Sequence, residues 1–382
     1  MQWIDAQPDF DAAMQHIGAQ PIIAVDTEAD SLHSYFDKVC LIQITADDDF
    51  VIDPLRSIDL KRFGEVLADS DIVKVLHGGD YDVRILNRDF GFTVSHLIDT
   101  SVCAQLLGYE AIGLAALLDR HFGLKLNKTH QRADWSMRPL TPEMLDYAAT
   151  DTRHLIPLAA ILRKELEDLG RWEWALEEFT RLEAVRYRET TEEDGEPFRR
   201  LKGIGGYDRR ALAVVRGLHE WRDSLARKAD RPPFKILGND AIIELGKEQP
   251  RTREELARVK VLPRFHQQRY GSELLRIIRE ALELPEEKLP ERGETKPWIR
   301  DKALEARVER LKKVRDRFAK ELKIDGSVLA PRHVLTAVAT MQPAEVSQLD
   351  AIPAMRNWQK RVIGPALIEA LASNVEKTGK LF

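Results

Sequence analysis

Apolar and polar residues alternate with strand-like spacing near the start of the chain. The segments PIIAVDTE, KVCLIQIT and FVIDP each combine β-branched and apolar residues between charged or turn residues. This pattern predicts a meander of three strands. A further strand, IVKVLHGG, precedes a helical segment, DYDVRILNRDFG, and another strand, HLIDT. The return to strand after helix predicts a mixed α/β sheet with flanking helices.

Helical patterns dominate from about residue 100 onward. One long helix is predicted from Thr141 to Gly170, with Thr141 as its N-cap, Pro142 in its first turn and an interruption near Pro157. Residues 189–197, ETTEEDGEP, are polar and contain Gly and Pro. They predict a linker between domains.

The chain after this linker contains an internal repeat. A shift of 93 residues superimposes Arg222 on Arg315, Gly271 on Gly364 and Leu274 on Leu367. Each copy has short amphipathic helices, and two copies are too few for a stacked solenoid, so we predict two small all-α bundles. The predicted boundaries are 1–190 for the α/β domain, 191–205 for a linker, 206–286 for the first bundle, 287–300 for a second linker and 301–382 for the second bundle.

Composition describes a globular protein whose two halves differ in charge. The 382 residues are 43% hydrophobic and 32% charged, which excludes a disordered or fibrous chain and favours at least two cores. Residues 1–195 contain 19 Lys and Arg against 36 Asp and Glu, a net charge of −17, whereas residues 196–382 contain 39 against 27, a net charge of +12. The basic half predicts a polyanionic partner.

Location and cysteine content narrow the class of protein further. We find no uncharged apolar run of about 18 residues and no signal-peptide pattern at the start, so we expect a cytoplasmic protein without membrane contact. Cys40 and Cys103 are the only cysteines. They cannot form a disulfide framework or a four-cysteine zinc site, and we expect them in the core, with no disulfide-linked partner.

Acidic residues occur at three places where active sites form. Asp26 and Glu28 end the first strand of the meander, and the period of two places both carboxylates on one face. Asp82 follows a strand that ends in two glycines, near Asp80, which we expect to cap the helix. An isolated match at any one of these places is weak, because acids in so acidic a sequence are mostly solvated.

The third place is the long helix, where Tyr147 and Asp151 are four residues apart and therefore lie on one face. Together with the other acids they give an all-oxygen set, which suits Mg²⁺ or Mn²⁺. A pair of such ions would relieve the repulsion among the four acids and would support phosphodiester hydrolysis. The four predicted metal ligands are Asp26, Glu28, Asp82 and Asp151.

At these residues the sequence resembles the DEDD exonuclease superfamily, and Tyr147 places it in the DEDDy subgroup. Segment ADWSMRPLTPEMLDYAATD resembles ribonuclease D, and the duplicated module, most clearly HEWRDSLARKADRPPFKIL, resembles HRDC domains. An exonuclease domain followed by two HRDC-like domains is the order of the ribonuclease D family. The resemblance implies an RNase H-like fold and a 3′–5′ exoribonuclease that releases 5′-mononucleotides from RNA with a free 3′ end, including tRNA precursors.

The resemblance also implies roles for individual residues. Asp26 would bridge two metal ions, Glu28 and Asp151 would complete one ion site, and Asp82 would hold the second ion directly or through water. Tyr147 would orient the attacking water; an ordinary Tyr pKa near 10 makes it a hydrogen-bonding group rather than a base. His77, which precedes the second motif, is as well explained as a structural residue at a strand end.

Basic residues of the first repeat are candidates for phosphate contact, although a solvated helix face explains them equally well. These RNA-binding candidates are Arg222, Arg227, Lys228, Arg231 and Lys235. The second repeat has Asp325-Gly326-Ser327 where the first has Pro232-Pro233-Phe234, so the sequence favours the first repeat over the second for RNA contact. The rival functions are a DNA 3′–5′ exonuclease and a noncatalytic RNA-binding protein. A helicase is excluded because the sequence lacks a G-x-x-x-x-G-K-[ST] loop.

Overall fold

A computed structural model describes residues 1–126, 129–189, 196–292 and 301–372. Part of the first predicted linker, most of the second and the last ten residues of the second predicted bundle lie outside these ranges. The chain forms two compact units. One comprises residues 1–29, 39–187 and the described residues after 300; the other comprises residues 30–38 and the described residues between 188 and 299.

The first unit contains a six-stranded mixed sheet. Its strands are β1 (Gln2–Ile4), β2 (Ile22–Ala29), β3 (Val39–Thr45), β4 (Asp49–Ile52), β5 (Val73–Leu76) and β6 (Leu97–Asp99), in the spatial order β1-β4-β3-β2-β5-β6. Strands β2, β3 and β4 form the predicted antiparallel meander. The β1–β4, β2–β5 and β5–β6 pairs are parallel. Strand β1 was not predicted from the sequence, because it has only three residues and pairs with a strand far along the chain.

Eight α-helices lie among the described residues of the first unit that precede residue 188. They are α1 (Gln7–Ile17), α2 (Lys61–Ala68), α3 (Asp80–Phe90), α4 (Thr100–Leu107), α5 (Leu114–Phe122), α6 (Pro142–Arg153), α7 (Leu155–Asp168) and α8 (Trp172–Glu183). Thr141 caps α6 as predicted, since its hydroxyl accepts the Met144 N–H. The predicted long helix is interrupted near Pro157, as expected: it breaks at His154. The proline ring clashes with the carbonyl four residues earlier, at Arg153, which is the last residue of α6.

Small residues bring α6 close to the sheet. Ala148 and Ala149 are buried against Leu41 and Val51, together with the fully buried ring of Trp135. Alanine adds little bulk between a helix and a sheet, so side chains one turn away on α6 reach the strand edge. This packing places Tyr147 and Asp151 over β2.

The two helical copies repeat one another element by element. The first consists of α9 (Arg209–Lys228), α10 (Pro233–Ile236), α11 (Asn239–Glu248), α12 (Arg253–Arg258) and α13 (Arg264–Leu282). The second consists of α14 (Lys302–Leu322), α15 (Gly326–Leu329), α16 (Arg332–Met341), a 3₁₀ helix (Val346–Ala351) and α17 (Asn357–Ala372). Each element of the second copy begins 93 residues after its counterpart, from Arg209 and Lys302 to Arg264 and Asn357.

The second copy packs on α8 within the first unit. The Trp358 ring stacks on the Trp174 ring at 4.7 Å between centroids. Gly108, which ends α4 at φ +80, allows a close approach: a Cβ there would lie 1.7 Å from the Lys323 carbonyl oxygen. Among the described residues, no helix is both long and apolar enough to cross a lipid bilayer.

Candidate active site

Three of the four predicted metal ligands lie together beside β2. Asp26 and Glu28 pair with Gln43 and Leu41 of β3, and these four residues share the sheet face that α6 covers. Asp151 reaches the same place from α6. One carboxylate oxygen from each of Asp26, Glu28 and Asp151 lies within 4.8 Å of the others. Such a group of oxygens can hold one hard cation.

Tyr147 lies one turn before Asp151 and hydrogen-bonds to its carboxylate. The phenol is half-buried, and burial, followed by the negative charges of Asp151, Glu28 and Asp26, raises the pKa of Tyr147 well above its ordinary value. The hydroxyl therefore stays protonated and serves as a hydrogen-bond donor. A deprotonated Tyr147 beside these acids would add a further negative charge.

Asp82 lies in the first turn of α3 and is almost fully buried. Its carboxylate accepts a hydrogen bond from the Thr27 hydroxyl at 2.5 Å. Asp82 lies outside the group of three oxygens found among the described residues, but its charge is the largest electrostatic contribution that raises the pKa of Asp26. The acids therefore form three close oxygens with a fourth carboxylate beside Asp26.

A glycine turn held by Asp99 positions Asp82. The Asp99 carboxylate accepts the N–H groups of Gly78 and Gly79 at 3.1 and 2.7 Å. Gly78 has φ +68, a conformation that favours glycine. Asp80, which we expected to cap α3, makes no capping hydrogen bond and instead pairs with Arg84 at 2.7 Å. The expectation for Asp80 was wrong because Asp99, at the end of β6, supplies the stabilising carboxylate.

Burial raises the pKa of every acid in the site. Burial raises the pKa of Asp26 well above its usual range and that of Glu28 to about 9, and the neighbouring carboxylates add to both shifts. Burial also raises the pKa of Asp82 and of Asp151 to about 6. Buried charges need a partner of opposite sign. This donor set therefore fits divalent cations, which would take the place of the bound protons.

A cavity of about 500 Å³ opens over the acids, a volume within the range of ligand pockets. Asp26, Tyr147 and Asp151 line it on one side. The first turn of α5, residues 113–116, lines it together with Gln131 and His77. The cavity can therefore bring a ligand against the acids.

Hydrogen bonds fix the protonation of His77. The Thr100 hydroxyl donates to the Leu76 carbonyl, so it accepts from His77 Nδ1 at 2.9 Å. Burial lowers the pKa of His77 below its usual value, which keeps the ring neutral near pH 7. Nε2 then carries no hydrogen and is an acceptor. Among the described residues, Nε2 has no hydrogen-bonding partner.

Comparison with known proteins assigns this geometry to a family. Residues 1–167 match the model of a 3′–5′ exonuclease, and residues 211–278 and 305–371 match the HRDC domain. A protein named ribonuclease D from Sphingobium indicum is 31% identical over 96% of this chain and 94% of its own length. The chain belongs to the ribonuclease D family. Its activity is that of a 3′–5′ exoribonuclease, as predicted, and its superfamily depends on divalent metal ions.

Solved structures agree with the ribonuclease D assignment and confirm the predicted fold class. A protein from Bifidobacterium adolescentis superimposes with a TM-score of 0.82, at 26% identity, over 97% of both chains. RNase D from Escherichia coli, described as an exoribonuclease involved in structured RNA processing, superimposes with a TM-score of 0.72 at 25% identity. That match covers 98% of this chain and 99% of the Escherichia coli chain.

One RNA-binding candidate of this ribonuclease D is a structural residue, which corrects the prediction. Arg222 is 5% exposed, and its guanidinium donates to the Leu237 carbonyl and to Asn239. Its counterpart in the second copy, Arg315, donates to the Ala330 carbonyl, which is the counterpart of Leu237. The duplication thus preserves an arginine that ties two helices together, and this group cannot reach a phosphate.

The other candidates lie at the surface of the second unit. Arg227 lies over the rings of Tyr35 and Phe36, at 5.3 and 5.7 Å from their centroids, and the Tyr35 hydroxyl donates to Asp223. Lys228 and Arg231 are exposed, and Lys235 lies 3.5 Å from His33 Nδ1. These four residues remain candidates for phosphate contact.

Several residues beside the acidic site were not predicted from the sequence. Thr27 and Asp99 act on groups far away in the sequence, so no local pattern reveals them. Gln43, the cross-strand partner of Asp26, is fully buried, and neither atom of its amide has a partner among the described residues. A polar residue inside the apolar segment VCLIQIT is a signal that could have identified it.

Proposed function

We propose that this protein removes 5′-mononucleotides one at a time from RNA 3′ ends by hydrolysis with two Mg²⁺ or Mn²⁺ ions. Its proposed substrates are precursors of tRNA and other stable RNAs in the cytoplasm. The observation that carries the proposal is the set of three carboxylate oxygens within 4.8 Å of one another, with Asp82 beside them. A noncatalytic protein has no need of four acids placed so close together without a cation.

The four acids and Tyr147 have separate roles in the proposed reaction. Asp26 would hold both ions, Glu28 and Asp151 would complete one site, and Asp82 would hold the other. Bound ions of this kind acidify water and neutralise charge on the leaving oxygen. The Tyr147 hydroxyl, fixed as a donor, would orient the water that attacks phosphorus. The phosphorus–O3′ bond breaks, and the leaving oxygen takes a proton to become the new 3′-hydroxyl.

His77 supports RNA over DNA as the substrate. Its free Nε2 is an acceptor in the ring that lines the cavity, and the ribose 2′-hydroxyl is a donor that deoxyribose lacks. We expect His77→Ala to lower the rate on RNA by about two- to tenfold, the effect of one hydrogen bond, and to leave the rate on matched DNA unchanged. An equal loss on both substrates would remove His77 as a basis for sugar selection.

An end-labelled tRNA precursor tests the main proposal. With Mg²⁺ we expect a ladder of single-nucleotide losses from the 3′ end, and none with a chelator. Asp82→Asn should abolish the ladder, whereas Asp80→Asn, which changes an exposed acid two residues away, should not. A matched DNA oligonucleotide degraded faster than RNA would favour the rival DNA exonuclease.

We also propose the domain boundaries given above, 1–190, 206–286 and 301–382, with linkers between them. The matches to the exonuclease and HRDC models at 1–167, 211–278 and 305–371 lie within these limits and support them. Limited proteolysis followed by mass spectrometry tests them. We expect the first cuts within 191–205 and 287–300.

A further inference from the structure

An aromatic and basic surface lies at the first turn of α13 in the first helical copy. We define this α13 surface by Val261, Arg264, Phe265 and Arg269. Phe265 is 61% exposed, and Val261, four residues earlier in the chain, is 47% exposed. The Arg269 guanidinium lies 5.8 Å from the centroid of the Phe265 ring. This pairing keeps a charged group beside a flat ring.

The equivalent turn of the second copy is a binding surface. Trp358, the counterpart of Phe265, is fully buried, and its ring stacks on Trp174 with an interplanar angle of 11°. The backbone N–H groups of Asn357 and Trp358 donate to the two carboxylate oxygens of Glu177, at 2.6 and 2.9 Å. The first turn of the last helix in this module thus binds a flat ring and an anion side by side.

The first copy has the same two features without the partner. The N–H groups of Arg264 and Phe265, the counterparts of Asn357 and Trp358, have no acceptor within the described part of the chain. The ring of Phe265 lies open to solvent. The groups that bind Glu177 and Trp174 in the second copy are therefore available in the first.

The charges of the α13 surface indicate which kind of ligand it binds. Asn357 and Val362 are neutral in the second copy, whereas their counterparts Arg264 and Arg269 are cationic. Within the described ranges, neither arginine forms an ion pair. A flat ring with an adjacent negative charge is the chemistry of a nucleotide, because bases stack on aromatic rings and phosphates bind arginine and the free N–H groups of a helix start.

We infer that the α13 surface binds a single-stranded segment of the RNA substrate. A base stacks on Phe265, and a phosphate lies at the first-turn N–H groups between Arg264 and Arg269. The inference rests on the proposed function, since it takes RNA as the substrate. Stacking and phosphate contact do not depend on the base, which suits an enzyme that accepts many 3′ ends.

Binding measurements on the full chain test the inference. Fluorescence anisotropy with a labelled 20-nucleotide oligo(A), in a chelator that prevents hydrolysis, reports affinity. We expect Phe265→Ala to weaken binding about tenfold, the effect of one lost base stack. Phe265→Trp should retain wild-type affinity, because Trp stands at the equivalent position of the second copy. Arg269→Ala should reduce the slope of log affinity against log salt by about one.

A control variant tests whether RNA binds at the α13 surface or elsewhere on the first helical copy. Phe234 is 56% exposed in the same helical copy and precedes the candidate Lys235. We expect Phe234→Ala to leave affinity unchanged, and thermal unfolding should show that each variant is folded. Weaker binding by Phe234→Ala with unchanged binding by Phe265→Ala would overturn the inference in favour of the α10 side. So would sedimentation showing that Phe265→Ala breaks a dimer without changing RNA affinity.

The kinetics separate this inference from the proposed function. With Mg²⁺ and saturating RNA, Phe265→Ala should keep the wild-type kcat while KM rises. A wild-type protein that binds RNA through Phe265 but never hydrolyses it would reject the proposed function and leave the inference intact. Unchanged KM in Phe265→Ala would reject the inference alone.

Discussion

Acidic side chains at two places on the same sheet have opposite electrostatic surroundings. Asp53, fully buried after β4, receives the Arg138 guanidinium as a fork, with nitrogen–oxygen distances of 2.7 and 2.6 Å. Asp26 on β2 faces the carboxylates of Glu28 and Asp151 instead, and no cation of the described chain pairs with it. The paired acid holds the fold together. The unpaired acids can bind a cation from solution, but their mutual repulsion destabilises the metal-free fold.

The largest expected effect comes from removing one unpaired acid. Asp26→Asn should lower Mg²⁺-dependent hydrolysis of RNA at least about a thousandfold, roughly 4 kcal/mol in the activation barrier. Removing a repelled charge should at the same time leave the metal-free protein as stable as the wild type, or more stable, in urea unfolding. Wild-type turnover by this variant would show that the unpaired acids are not needed for hydrolysis.

Removing the partner of the paired acid should act on stability. Arg138→Met leaves the buried Asp53 with only Arg56, at 3.5 Å, as a cationic partner. We expect a loss of about 3 kcal/mol in the free energy of unfolding, measured in urea. Arg153→Met is the control, because Arg153 forms an ion pair with Asp49 at 2.8 Å while 39% exposed, and its loss should cost at most about 1 kcal/mol. Equal losses of unfolding free energy in both variants would show that the Asp53–Arg138 ion pair contributes no more to stability than an exposed ion pair does.

A smaller effect is expected from the tyrosine. Tyr147→Phe removes the donor but keeps the ring against Trp135, so kcat should fall about a hundredfold, as for other positioned donors, with little change in stability. Single-turnover kinetics at saturating RNA measures the chemical step. A higher KM with unchanged kcat would mean that Tyr147 binds substrate and does not orient water.

The smallest expected effect is on the pH dependence of stability without metal. The raised pKa of Glu28, about 9, and of Asp82 and Asp151, about 6, means that the folded chain binds protons more tightly than the unfolded chain. This stabilisation is full below about pH 4 and is lost as the pH rises towards 9. The melting temperature of the wild type should therefore fall more steeply with pH than that of Glu28→Gln.

Bound Mg²⁺ should abolish this decrease of the melting temperature with pH. Mg²⁺ competes with the protons, so its affinity should increase with pH and its binding at pH 7 should release protons. Calorimetry in two buffers of different ionisation enthalpy counts the released protons. Binding without proton release would show that the acids are already ionised in the metal-free protein.

Much of this site could be predicted from the sequence because its patterns are local. Alternation identified β2 and the shared face of Asp26 and Glu28, and a spacing of four identified Tyr147 with Asp151. The rest depends on contacts between distant segments. Thr27 binds Asp82 across 55 positions, and Ala148 and Ala149 set how closely α6 approaches the sheet. No window of sequence contains such contacts.

The failures have the same physical origin. Arg222 resembles any exposed cation of a helix until the Leu237 carbonyl is known to lie beside it. Asp80 resembles a cap, but Asp99, from the next strand, holds the turn. In both places a tertiary contact, rather than local preference, decided what the side chain does.

The packing of Trp358 on Trp174 has a consequence for how the protein is made. At about 5–20 residues per second, the 184 residues from Trp174 to Trp358 take roughly 10–40 s to leave the ribosome. Throughout that interval the nascent exonuclease domain carries an unfilled tryptophan face and the open carboxylates of Glu177 and Glu178, which only the last helix of the chain will cover. Synthesis therefore passes through a stage at which the four clustered acids are already translated but the C-terminal module that covers one side of their domain is not.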